Sequence, residues 1–252
     1  MFDAVLFDIG DVLVHFETWQ ARRFVDAGTR PVRERLIEWG YSPPPLGRYR
    51  RAMQLTFLKA YLWSRLRGRE VPTLDIMRRL HARFGMTLDP ARMGELARAC
   101  VAPFRTLFTT DPLAVPVVSS LHRAGLKLAI VSNTFFPAFA IDDVLKDEGL
   151  LEYFPVRVYS SDVGYMKPHP MIFKIALDRL GVSPDRAIHV GDRVGKDVKG
   201  AKRAGIASVL LCKKTPSFWH WPRPDFLIRS LDELPAILGP KHRVAGDVVS
   251  TP

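Results

Sequence analysis

The sequence predicts an α/β fold: a parallel sheet flanked by helices, with an all-helical domain inserted after the first strand. Three observations carry that reading. Short β-favouring apolar runs recur five times along the 252 residues, helical patterns separate the later ones, and a single interval, residues 16–111, breaks the alternation with helices alone.

The runs are Val5–Phe7, Leu128–Val131, Val156–Tyr159, Ile188–Val190 and Val209–Leu211. Each is continuously apolar rather than alternating, the pattern of a strand buried on both faces, as parallel strands are. Pro116–Ala124, His169–Leu180 and Asp197–Ala204 have helical spacing. Each is followed by a glycine, Gly125, Gly181 or Gly205, at the position where a left-handed residue closes a helix. Strand and helix therefore alternate through right-handed crossovers. In the interval from Phe16 to Asp111, helical periodicity covers Trp19–Ala27, Val32–Gly40, Leu46–Leu66, Leu74–Phe84 and Ala91–Phe104. Ser42-Pro43-Pro44-Pro45, Gly68 and Pro90 punctuate it, and no stretch reads convincingly as a strand. The expected division is a core of residues 1–15 and 112–240, a helical domain of residues 16–111 and a loose polar tail of residues 241–252.

With 47% hydrophobic and 25% charged residues the composition is that of a globular protein, not a disordered one. No apolar run approaches the roughly 18 residues of a membrane span, and the N-terminus lacks a secretory leader, so a soluble cytoplasmic protein is expected, without a membrane partner. Cys100 and Cys212 are too few and too far apart to build a metal cluster, which fits a reducing compartment. The net charge of +11 is uneven: Glu17 to Asp111 holds 18 Lys/Arg against 9 Asp/Glu, a net of +9, and the rest of the chain only +2. The arginines are spread through helical patterns rather than massed in a run. This surface is read as solvated and attractive to small anions, and nucleic acid is not the expected partner.

The chemistry gathers where the strands end. In an open parallel sheet, residues just past the carboxyl ends of the strands converge on a shared crevice. Asp8 follows the first strand, Ser132-Asn133 the second and Asp192 the fourth, with Asp197 five residues on; Lys167 lies in the loop after the third. Asp8, Asp192 and Asp197 are hard oxygen ligands suited to magnesium, and Ser132 and Lys167 could hold an anion beside it. Singly, each has a plain alternative as a turn former or helix cap. Gly191 to Asp197 is not a nucleotide-binding P-loop, because Gly195 comes four residues after Gly191 and Asp197 stands where Ser or Thr is needed. The seven histidines show no metal-ligand spacing, and His189 reads as a core histidine. Trp219-His220-Trp221 reads as an aromatic loop that could rim the site or pack beneath it.

Taken together, Phe7-Asp8-Ile9-Gly10-Asp11, Val131-Ser132-Asn133, Lys167-Pro168-His169-Pro170 and His189-Val190-Gly191-Asp192 through Asp197 resemble, in order, the four motifs of the haloacid dehalogenase superfamily, in its helical-cap, phosphatase-like branch. The resemblance runs from about residue 2 to 235 and puts residues 16–111 in the place of the cap. It implies a Rossmann-like core and a magnesium-dependent phosphatase acting on a small phosphorylated metabolite, as a monomer or homodimer. In that reading Asp8 attacks phosphorus to give an aspartyl-phosphate. Asp8, Asp192 and the Gly10 carbonyl hold Mg2+, and Asp197 orders the loop or the metal's surroundings. Ser132, Asn133 and Lys167 bind the phosphate.

One departure stands out. Most phosphatases of the superfamily carry a second aspartate two residues after the nucleophile to protonate the leaving group, and here that position is Gly10. Losing such an acid costs roughly 10²- to 10⁴-fold for a poor leaving group and less for a good one. Asp11, one position on, is the candidate substitute. Two alternatives stay open: a metal-independent dehalogenase, which also lacks the second aspartate but has no need of Asp192 and Asp197, and a degenerate member that only binds a phosphorylated ligand or a partner.

Overall fold

The computed structural model describes residues 1–16, 21–103, 108–212 and 222–239. Six parallel strands form one sheet: β1 (Ala4–Phe7), β4 (Lys127–Ser132), β5 (Val156–Tyr159), β6 (Ala187–Gly191), β7 (Ala207–Leu211) and β8 (Phe226–Ile228). Their order is β5-β4-β1-β6-β7-β8, so β1 lies inside, between β4 and β6. Alternate residues of β1 face opposite ways. Val5 and Phe7 join the apolar core on one side of the sheet, Ala4 and Leu6 the core on the other. Both faces are dry, which is why these strands read as unbroken apolar runs. Each large side chain so buried contributes about 1.5–3 kcal/mol.

The helices between the strands are α5 (Ala114–Arg123), α6 (Ala138–Asp147), α7 (Ser160–Val163), α8 (Pro170–Leu180), α9 (Lys199–Arg203) and α10 (Leu234–Leu238). Gly125, Gly181 and Gly205 have φ of 85°, 62° and 74°, as expected at helix ends. Asp197–Ala204 is not one helix: a π-helical turn, Val194–Val198, precedes α9 and swings Asp197 toward the sheet. Strand β8 and helices α6, α7 and α10 add to the elements expected from the sequence.

Four helices follow the first strand: α1 (Ala21–Glu38), α2 (Leu46–Arg67), α3 (Thr73–Ala82) and α4 (Pro90–Val101). The two helical segments expected around Trp19–Ala27 and Val32–Gly40 are one helix, α1, which runs through Pro31. It packs on α4 so closely at Gly28 that a Cβ there would lie 2.5 Å from the Cys100 carbonyl oxygen. The interval is also not free of strand. β2 (Val14–Phe16) and β3 (Phe108–Thr110) pair antiparallel, with Val14 opposite Thr110, and form a ribbon where the chain enters and leaves the helical region. Three-residue strands carry too little pattern to be told from loop in a sequence. The aromatic loop at residues 219–221 and the tail at 241–252 lie outside the described residues. No helix among the described residues is long and apolar enough to cross a membrane.

Candidate active site

Every strand of a parallel sheet ends on the same edge, and the strand order decides which ends are neighbours. Asp8 directly follows β1, Ser132 is the last residue of β4 and Asp192 directly follows β6, so the three stand side by side at the middle of that edge. Lys167 reaches the same point from the loop between α7 and α8, and Asp197 from the π-helical turn.

Asp8 is held through one oxygen. Its Oδ1 accepts from the backbone N–H of Ile9 at 2.8 Å and the Ser132 hydroxyl at 2.8 Å, and lies 2.9 Å from the Lys167 ammonium. Oδ2 has no hydrogen-bond partner among the described residues. Lys167 Nζ also lies 2.7 Å from Asp197 Oδ1, with its side chain fully buried. Burial works against the ammonium, but the charges of Asp197 and Asp8 outweigh it and hold its pKa above the ordinary lysine value. Asn133 braces this lysine: its amide nitrogen donates to the Lys167 carbonyl at 3.0 Å, and its amide oxygen accepts from the Lys167 N–H at 2.7 Å.

Asp197 is satisfied by protein on both oxygens. Oδ1 meets Lys167 and, at 3.1 Å, His189 Nε2; Oδ2 accepts from the Arg193 N–H at 3.0 Å. Burial would raise its pKa, but Lys167 and His189 prevail and hold it well below the usual carboxylate range. A Cβ at Gly191 would fall 2.2 Å from Asp197 Cγ, so only glycine there lets the carboxylate lie over the end of β6. His189 is buried as expected of a core histidine, with its ring edge-on to Phe173 at 4.9 Å. It also orients Asp197, a role that its place inside an apolar strand concealed.

Asp192 is in the opposite state. Burial, and the negative charges of Asp8 and Asp197, push its pKa up to about 7. The largely exposed Arg193 side chain, with Nε 3.5 Å from Asp192 Oδ2, opposes them. One ligand-type oxygen from each of Asp8, Asp192 and Asp197 lies within 4.8 Å of the others. Among the described residues, the three clustered carboxylates share one fully buried ammonium within ion-pair distance, that of Lys167. That shortfall of positive charge, among hard oxygen donors, fits a divalent cation.

In the loop after β1 the left-handed residue is Asp11, with φ 58°, rather than Gly10. Asp11 Oδ1 lies 3.7 Å from His15 Nδ1, and His15 Nε2 lies 2.9 Å from Asp111 Oδ2, so His15 on β2 links the Asp11 turn to the residue that follows β3. Nothing in the spacing of these residues announces that link; it depends on the two crossover strands being paired.

The sequence profile of haloacid dehalogenase-like hydrolases matches residues 2–205, four-fifths of the chain, and spans every residue of the cluster. The chain belongs to this family. Among relatives, it is 38% identical over 117 residues to a glyceraldehyde 3-phosphate phosphatase of Methanopyrus kandleri, covering 45% of this chain and 49% of that one. It is 35% identical over 124 residues to a phosphoserine phosphatase of Thermus thermophilus, covering 48% and 47%. The chain thus spans about half the length of these curated relatives. Its structure is similar to that of a phosphatase of the family from Thermococcus onnurineus, with a TM-score of 0.60, 27% identity and coverage of 96% of this chain and 100% of that one. Its family is that of the haloacid dehalogenase-like hydrolases, and phosphatases are among its relatives.

Proposed function

We propose that the protein is a magnesium-dependent phosphatase of small phosphorylated metabolites, with Asp8 as nucleophile. The observation that carries this reading is the state of the Asp8 carboxylate, pinned through Oδ1 by Ile9, Ser132 and Lys167 with Oδ2 left over. A nucleophile needs a fixed orientation and an uncommitted lone pair, and this one has both.

Asp8 attacks phosphorus as the bond to the leaving oxygen breaks, giving an aspartyl-phosphate that water then hydrolyses to phosphate and free Asp8. Lys167 and the Ser132 hydroxyl are placed to bind the phosphoryl oxygens next to Asp8. Asn133 serves this step by bracing Lys167, since both ends of its amide are bonded to that residue's backbone. Asp8, Asp192 and the Gly10 carbonyl would hold Mg2+, which when bound offsets negative charge on the transferring group. Asp197, bonded on both oxygens, orders the π-helical turn and Lys167 beside the metal. The same arrangement favours a phosphatase over a metal-independent dehalogenase, which has no use for a surplus of carboxylates. The helices of residues 16–111 act as a cap over the strand ends.

Gly10 cannot supply a proton to the departing oxygen, and Asp11, turned toward His15, is the nearest carboxyl in the loop able to. The relatives' names point to two different substrates, a sugar phosphate and a phosphorylated amino acid, and so do not choose one. The test is phosphate release from a panel of aryl, acyl, sugar and amino-acid phosphates, with magnesium and with chelator. Release that needs magnesium is expected. Chelator-insensitive turnover with halide release from a haloacid would replace this reading by the dehalogenase one.

A further inference from the structure

Helix α2 is apolar on the side that faces water as well as on the side that packs. Of the nine large hydrophobic side chains exposed among the described residues, six lie on this one helix: Leu55, Leu58, Tyr61, Leu62, Trp63 and Leu66. Single exposed leucines are ordinary, but a cluster of this kind marks an interaction surface. The four leucines are spaced by three, four and four residues, which on a helix of 3.6 residues per turn makes one stripe. Buried Tyr49, Met53 and Ser64 occupy the opposite face. There Tyr49 bonds His81 of α3 at 2.7 Å and Met53 takes a contact from Thr29 of α1 at 3.5 Å. The inner face is therefore used in folding, and the leucine stripe looks outward, with Leu66 87% exposed.

The charge on this helix has one sign. Its 22 residues hold six Lys/Arg and no Asp or Glu. Arg48, Arg50, Arg51, Lys59 and Arg67 are exposed, and among the described residues no carboxylate lies within ion-pair distance of these five. Carboxylates of the neighbouring helices are answered by their own arginines: Glu38 by Arg35, Asp75 by Arg78 and Asp89 by Arg92. Arg67 instead lies over the Trp63 ring, 5.4 Å from its centroid. By helical spacing Arg48, Arg51 and Lys59 share the outward arc with the leucines, and Tyr61 and Trp63 flank it on either side.

We infer that α2 is a membrane-surface helix, lying flat on an anionic bilayer with its leucine stripe among the lipid tails' upper carbons and its basic side chains on the headgroup phosphates. The charge decides between occupants. A second copy would set α2 against α2, basic residues against basic residues, with no carboxylate on either helix to answer them. An anionic lipid surface answers every one of them, accepts leucine between them, and takes the amphipathic Tyr61 and Trp63 rings at the level of the headgroups. A helix so exposed is a ridge rather than a groove, and a fluid surface yields to a ridge. The expectation of no membrane partner weighed only a span and a leader; a helix lying in the interface needs neither. This inference is independent of the phosphatase reading.

The test is co-sedimentation of the full chain with vesicles of phosphatidylcholine alone and of phosphatidylcholine with about one-third phosphatidylserine. Wild type is expected to bind the anionic vesicles about tenfold or more tightly than the neutral ones. A chain of net charge +11 is drawn to any anionic surface, so the decisive variant is apolar: Leu58→Gln with Leu62→Gln keeps every charge and should weaken binding by roughly tenfold. Arg51→Gln with Lys59→Gln should weaken it by a similar factor. Melting curves report whether each variant folds, and Leu66→Gln, at the most exposed of the leucines, repeats the apolar arm with the least demand on packing. Binding that survives the leucine substitutions is general attraction to a basic surface and overturns the inference, as does equal binding to the two vesicles or binding to neither. A dimer in solution that the leucine substitutions dissociate also overturns it, and makes the stripe an interface between copies.

Discussion

The charges at the strand ends differ from those in the helical region and in the loop after β1 in how completely they are answered. On the sheet side, Asp8, Lys167 and Asp197 form one buried chain in which each group touches at least two others at 2.7–3.1 Å. In the helical region and in the loop after β1, Glu70 is met by the Val71 backbone and by hydroxyls at 3.3–3.4 Å, and half-exposed Asp11 by a histidine at 3.7 Å. A pre-arranged network lowers the cost of organising charge during reaction, whereas loosely held groups can adapt to what enters. On the proposed phosphatase reading, phosphoryl transfer belongs to the strand ends and the choice of leaving group to more loosely held residues. Substitutions on the two sides should therefore fail in different ways.

Lys167→Met should produce the largest effect short of removing the nucleophile. It takes the cation from between Asp8 and Asp197, leaving both carboxylates without that ion pair, a loss on the order of 3 kcal/mol. For a chain of this size that corresponds to a melting temperature lower by roughly 6–12 °C. Phosphate release should fall by about 10²- to 10³-fold, the usual cost of losing one stabilising donor. A melting curve and a rate assay on the same variant check both. Activity within a few-fold of wild type would mean that the buried chain is scaffolding only.

Gly10→Asp probes the opposite side and should act selectively. Restoring a proton donor should raise turnover of alkyl phosphates by about 10- to 100-fold, within the range of general acid catalysis, and leave aryl phosphates little changed. Wild type should accordingly favour acidic leaving groups steeply. If wild type treats alkyl and aryl phosphates alike and Asp11→Asn leaves that unchanged, the glycine has no such consequence.

Most of the sheet side was legible in the sequence, because its signal is local. Five continuous apolar runs mark strands buried on both faces, and a reactive side chain placed just past such a run must lie at the sheet's carboxyl edge. What escaped depends on contacts far along the chain. His189 is indistinguishable from a core histidine until Asp197 is folded back onto it by a π-helical turn that helical periodicity does not distinguish. Asn133 has the right type and place for a phosphate ligand, and only the pairing of its amide with the Lys167 backbone shows a brace. The link from Asp11 through His15 to Asp111 joins residues 96 apart in its longer step, across a ribbon of two three-residue strands. Residues 16–111 gave up their helices but not the short strands at their edges, which carry too few residues to show a pattern.

Acidity offers a finer probe of the sheet side. The folded-state pKa of Asp192, about 7, lies above its ordinary value of 3.8, so over that window the folded protein holds a proton that the unfolded chain has lost. This contribution therefore lowers stability as pH rises from about 4 to about 7, and flattens above. Magnesium competes with that proton, so the stabilisation it confers should grow through the same window. Thermal melts with and without magnesium between about pH 5 and pH 8 measure both slopes, and Asp192→Asn should abolish both. A magnesium shift independent of pH would remove Asp192 from the metal site.

The smallest expected effect concerns the helical region as a whole. Its net charge of +9 from Glu17 to Asp111 should draw anionic substrates toward the cleft, so kcat/KM should fall a few-fold between low and physiological salt while kcat holds steady. Equal sensitivity in kcat would point to the site itself rather than to approach of the substrate.

The most direct test of the central claim, that Asp8 is the nucleophile of a phosphoryl transfer, is phosphate release from p-nitrophenyl phosphate in magnesium by wild type and Asp8→Asn side by side. The amide matches the carboxylate in shape but is a poor nucleophile. The variant is expected to melt as a folded protein yet release no phosphate above the uncatalysed background. A folded Asp8→Asn protein that turns over at a rate near that of wild type would contradict the account.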